Sequence, residues 1–192
     1  LPTGYSLSWS GQYEYMVRAK ERLAAVGPLT LAVIVLLLFV NFGRLAEVAI
    51  VMGTLPLALV GGLWLLYLLG YQLSVAVGVG FIALAGVAVE IGVVMLVYLN
   101  QAIRRRAISS EEDVRAAVIE GTLLRIRPVF MTVAATIGGL LPIMFSTGAG
   151  SEVMRRIAAP MLGGMVSAAV LTLAVIPALF LLWQRGIAGR AG

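Results

Sequence analysis

The stretch LAGVAVEIGVVMLVYL, residues 84–99, is apolar throughout except for one carboxylate, Glu90, near its middle. From Val48 to Ile103 no other residue carries charge. Glu90 therefore lies about half-way along the second of two consecutive runs, each long enough to cross a bilayer. A charged side chain at a bilayer centre costs about 2.5 to 3.5 kcal/mol on insertion scales, so it normally faces a partner or a wet cavity. The sequence outside this stretch has to supply its setting.

Of the 192 residues, 61% are hydrophobic and 12% charged, and the mean hydropathy is +1.03. No soluble domain has that balance, and the chain reads as a membrane protein. The net charge of +5 does not point to nucleic acid, because the 14 Lys and Arg cluster between apolar runs, as orientation in a bilayer requires. With no Cys and no His, a disulfide framework, thiolate or imidazole metal ligands and an imidazole base are all excluded. Metal chemistry must then use Met, carboxylate or backbone oxygen.

The apolar runs predict an all-α polytopic bundle of five transmembrane helices, about 23–42, 48–69, 73–100, 128–145 and 153–183, since roughly 20 apolar residues cross the hydrocarbon core. Residues 1–22 read as the end of a water-exposed region followed by a lead-in helix over 14–25, and 185–192 as a tail. The opening LPTGYSLSWSGQYEY has neither the basic start nor the apolar core of a signal peptide and reads as the continuation of a longer chain. Pro28 suits a first-turn position or a hinge, and Pro56 predicts a kink.

The long polar connection, 101–127, carries Arg104, Arg105, Arg106, Arg115, Arg125 and Arg127 against four acids. That excess of arginine assigns it to the cytoplasm. Counting outward from it gives a leading region outside, five spans and a cytoplasmic C-terminus. Ser109 followed by Glu112 is a capping-box pattern, and Val114, Ala117, Val118 and Gly121 recur at helical spacing, which predicts an amphipathic helix over 109–121 along the cytoplasmic face.

Glu90 has two chemical readings: a proton carrier, neutral when buried and ionised when wetted, or a structural acid satisfied by a neighbouring hydroxyl. Gly86 and Gly92 leave room for another helix at its level. Thr132 and Thr136 lie four apart on one helix face, with Ala135 and Gly139 as a small-residue surface beside them. Their hydroxyls can relay a hydrogen bond to Glu90, or bond the preceding turn of their own helix. Met154, Met161 and Met165 recur on one face of the last span. Thioethers suit Cu(I) or Ag(I), and they also fill irregular apolar gaps. The chain lacks a Ser–His pair, an intramembrane Asp pair (its one Asp, Asp113, lies in the basic connection) and a GxxxxGK[ST] loop, so intramembrane proteolysis and nucleotide hydrolysis by those routes are excluded. The chemistry left is that of a secondary transporter driven by an ion gradient, not an enzyme, with no cofactor.

GVAVEIGVVMLVYLNQAI (86–103), RIRPVFMTVAATIGGLLPIM (125–144) and especially STGAGSEVMRRIAAPMLGGM (146–165) resemble the last five transmembrane helices of the heavy-metal efflux branch of the resistance-nodulation-division (RND) transporters. The opening residues are similar to the end of that family's second periplasmic porter region. The resemblance implies an inner-membrane proton antiporter that expels metal cations, Cu(I) and Ag(I) in the copper and silver members. It also implies a homotrimer working with a periplasmic adaptor, or membrane fusion protein, and an outer-membrane channel. It gives Glu90 a place in the proton relay and makes Met154 a candidate metal ligand. Where copper and silver members can carry a Lys of that relay, this chain has Val129. An RND exporter of organic compounds, and a non-transporting RND-like membrane scaffold or sensor, are the alternatives.

Overall fold

The computed structural model describes residues 11–106 and 110–188. The readings of residues 1–10 as the end of a water-exposed region, of Ser109 as a cap and of the tail at Arg190 lie outside them. Five helices follow one another: α1 (Gln12–Phe42), α2 (Leu45–Leu68), α3 (Val75–Arg105), α4 (Glu111–Met144) and α5 (Ser151–Ala188). No strand occurs among the described residues. All five are long and apolar enough to cross a membrane, and the chain is an all-α polytopic bundle.

Two helices run longer than the composition suggests. The lead-in segment and first span are one helix of 31 residues with Pro28 inside it. A proline there removes a single backbone bond, to the Ala24 carbonyl, and the leucines and alanines of the turns on either side carry the helix through despite Gly27. Likewise the amphipathic segment and fourth span form one helix of 34 residues, with Pro128 inside it. Residues 122–127 contain no helix breaker that would divide them. The start of α4 is fixed by Ser110, one residue beyond the expected cap. Its hydroxyl accepts the Asp113 N–H at 3.3 Å, and the Asp113 carboxylate accepts the Ser110 N–H at 3.0 Å. That reciprocal pair satisfies two of the free N–H groups at the helix start.

The turn between α1 and α2 is made by Gly43, whose φ of 70° lies in the left-handed region and whose N–H returns to the Phe39 carbonyl at 2.8 Å. At the centre of the bundle, α5 packs against α2, α3 and α4. Its contact with α2 is made through backbone. A Cβ on Gly61 would lie 2.6 Å from the Gly163 carbonyl oxygen, and one on Gly62 would lie 2.8 Å from that of Pro160. Ser167 on α5 donates to the Ala58 carbonyl of α2 at 2.9 Å. Small residues let helices approach this closely in lipid, where packing rather than the hydrophobic effect drives association. The helix α1 is peripheral. Leu38 is its one buried hydrophobic among the described residues, and it packs with Val48, Met95, Leu99 and Phe180 in the cluster at the basic end.

Aromatic rings mark both ends of the bundle. Trp64 and Tyr67 meet edge to face at 6.2 Å, and Arg156 lies over Tyr71 at 5.7 Å. At the other end Arg44 stands over Trp183 at 5.7 Å and Arg125 over Tyr98 at 5.1 Å. Such rings sit at the two headgroup levels of a bilayer, and Glu90 lies between the belts.

Candidate functional site

Helix α3 is divided lengthwise. Leu84, Ala88, Ile91 and Met95 are buried against the other helices, while Val79, Ile82, Gly86 and Glu90 lie along an exposed strip. The carboxylate of Glu90 thus points out of this five-helix bundle at mid-membrane depth. Among the described residues it has no hydrogen-bond or ion-pair partner. Gly86, one turn before it, has open space where a side chain would be, whereas Gly92 is closed in by Ile176 and Val51. Room for another helix at this level therefore exists on the Gly86 side.

The threonines of α4 do not reach Glu90. Thr132 donates to the Pro128 carbonyl at 3.1 Å and Thr136 to the Thr132 carbonyl at 2.9 Å, so both hydroxyls serve their own helix. Thr132 is exposed and Thr136 half-buried. Ala135 and Gly139 are exposed beside them, and a Cβ on Gly139 would meet nothing within 4 Å. Two open faces result, one on α3 with Gly86 and Glu90 among exposed aliphatic side chains and one on α4 with the threonines and small residues.

Val129 faces the opposite way, 1% exposed in a cluster with Leu84, Ile91, Val133, Met165 and Ala169. In this bundle position 129 is a packing position.

The methionine stripe of α5 divides by depth. Met165 is fully buried and Met161 partly buried in the same aliphatic cluster, where both fill space. Met154, in the first turns of the helix, is 56% exposed. The neighbouring Arg155 donates to the Ser151 hydroxyl at 3.3 Å. No group of three or more His, Cys, Asp or Glu side chains among the described residues is placed to hold a metal ion.

A second acid is set apart by its burial. Glu47, in the first turn of α2, is 2% exposed. Its Oε2 accepts a 3.0 Å hydrogen bond from Asn100 Nδ2 on α3, and its Oε1 lies 3.9 Å from the Arg44 guanidinium. Composition and spacing do not signal this burial, because an acid in a first helical turn ordinarily complements the helix dipole from the surface.

A model of the AcrB/AcrD/AcrF family matches residues 1–184. The chain belongs to that family. Several similar proteins lie in the heavy-metal branch that the sequence motifs resemble. The chain is 50% identical over 190 residues to "Cation efflux system protein CusA" of Escherichia coli strain K12, an alignment covering 95% of this chain and 18% of that protein. It is 38% identical over 185 residues to "Cobalt-zinc-cadmium resistance protein CzcA" of Cupriavidus metallidurans, covering 96% of this chain and 17% of that one. The crystal structure of a heavy metal efflux pump superimposes with a TM-score of 0.80 at 39% identity, over 96% of this chain and 18% of the other. The chain thus spans less than a fifth of the length of these family members.

Proposed function

We propose that this family member serves in proton-driven efflux of heavy-metal cations, with Cu(I) or Ag(I) as the substrates its chemistry fits best. The observation that carries the reading is Glu90, the one charged residue between Val48 and Ile103, on an open face of α3 with no partner among the described residues. A carboxylate at that depth is too costly to leave facing lipid, and its open face suits a partner helix or a wet cavity. The cation-efflux relatives support metal as the cargo. Met154 supports a soft monovalent ion, because an exposed thioether favours Cu(I) and Ag(I) over hard cations.

In this mechanism Glu90 takes a proton from the outer side and releases it inward, with Thr132 and Thr136 completing the relay once the facing helices are in place. A potential of about 100 mV supplies roughly 2.3 kcal/mol per charge moved. The setting is a bacterial inner membrane, with a cytoplasmic C-terminus. The assembly is a homotrimer joined to a periplasmic adaptor and an outer-membrane channel.

Glu90→Gln tests the reading in the native protein expressed from its own gene. Metal resistance is expected to disappear while the variant still inserts and assembles. Full export by that variant ends the proton-carrier role.

A further inference from the structure

At the basic end of the bundle a cavity of about 310 Å³ opens between α1, α2, α3 and α5. It has room for about ten water molecules at roughly 30 Å³ each. Polar groups from all four helices face it: Asn41 at the end of α1, Arg44 and Glu47 at the start of α2, Asn100, Gln101 and Arg104 on α3, and Gln184 on α5. Glu47 is the acid among them.

The cavity is also in register with Glu90. Val97 lines it, seven residues after Glu90 and therefore on the same face of α3, at a rise of roughly 10 Å. Gln101 and Arg104 continue that face toward the basic end. Between Glu90 and the cavity the strip carries only the half-buried aliphatic side chains of Val93, Val94 and Val97.

From this arrangement we infer that the cavity is the inner vestibule of the proton path, with Val97 as the constriction at its head and Glu47 as the acid that exchanges protons with cytoplasmic water. The inference rests on the proton-carrier role of Glu90. Protonated Glu90 loses its proton to water when the valine constriction hydrates and returns to the carboxylate. Ionised Glu47 takes up a proton from the same water column and gives it to bulk water, so only O–H bonds form and break. Asn100 holds Glu47 Oε2 and Arg44 stands near Oε1, which keeps the carboxylate in the cavity wall. Arg104 and Arg44 are the charged groups facing it, while Gln184, Asn41 and Gln101 are neutral at every pH.

The test uses single cysteines in the native full-length protein, freed of any other cysteine. Inverted membrane vesicles, which present the cytoplasmic face outward, are treated with a membrane-impermeant thiol reagent. Val97→Cys and Gln101→Cys are expected to react, and reaction at position 97 to cut metal-dependent proton flux at least about tenfold. Leu99→Cys, at a fully buried position of the same helix, is expected to stay unmodified. Glu47→Gln, which keeps the shape and the Asn100 contact, should lower proton flux by the same order and alter its pH profile, while Glu47→Asp retains most of it. A merely structural Glu47 would give Glu47→Gln normal flux with an unchanged pH profile, and that result overturns the inference, as does failure of both cysteines to react. Full flux in Glu90→Gln overturns the underlying proton-carrier reading instead, and the two failures are told apart by which substitution is silent.

Discussion

Gly61 of α2 and Gly163 of α5 meet with no side chain between them, so the two most central helices touch through their backbones. The Ser167 to Ala58 hydrogen bond crosses the same interface at 2.9 Å. The contact sets the separation of α2 and α5, and through α5 the positions of α3 and α4. Gly61→Val is expected to force the helices apart at a cost of about 1 to 3 kcal/mol, the range for overpacking a tight contact. Thermal unfolding of the purified chain in detergent should show a clear loss. Gly53→Ala, on the same helix with open space at its Cβ, should be neutral or slightly stabilising. Equal loss from both would mean that the interface is not set by these glycines.

Met154 and Met165 share a helix face in sequence but not an environment, and their substitutions should separate. Met165→Ala removes a fully buried side chain and should cost about 2 to 5 kcal/mol of stability. Met154→Leu, at a position 56% exposed, should leave stability within about 0.5 kcal/mol. In the native protein it should nonetheless weaken Cu(I) or Ag(I) export while sparing unrelated substrates. Equal loss for every substrate would make Met154 a packing residue.

Much of this architecture was legible because it follows from hydropathy and charge alone. Five apolar runs of bilayer length give five helices, and the arginines between the third and fourth mark one end of the bundle. What composition did not reveal depends on contacts between distant segments. Glu47 and Asn100 are 53 residues apart, and nothing in the turn around Arg44 signals that its acid is buried beneath α3. Helix continuity through Pro28 and Pro128 was similarly hidden, since one proline costs a backbone bond that the flanking turns outweigh. The threonine pair shows the opposite limit. Its spacing located a shared face correctly, but spacing does not distinguish a hydroxyl aimed at a neighbour from one bonded to its own helix.

That ambiguity at Thr136 is resolved by substitution. Its hydroxyl bonds the Thr132 carbonyl, which α4 itself also satisfies, so Thr136→Val should change stability by less than about 1 kcal/mol. If the hydroxyl joins the relay in the assembled transporter, Thr136→Val slows metal-dependent proton flux several-fold and Thr136→Ser restores it. Unchanged flux in the valine variant removes Thr136 from the path.

Position 129 allows the proton site to be tested by addition. Val129 is buried among aliphatic side chains, one of which, Ile91, adjoins Glu90 in sequence. An ammonium group placed there has no partner within its own cluster, and burying it unpaired is strongly unfavourable. A lysine side chain that carries its charge out of the cluster toward Glu90 would find a partner there. Val129→Lys should therefore destabilise the bundle less when Glu90 is present than when it is replaced by Gln. A double-mutant cycle on unfolding in detergent is expected to give a coupling of about 0.5 to 3 kcal/mol, the range for residues in direct contact. No coupling would mean that the Glu90 carboxylate and position 129 are not within reach of each other.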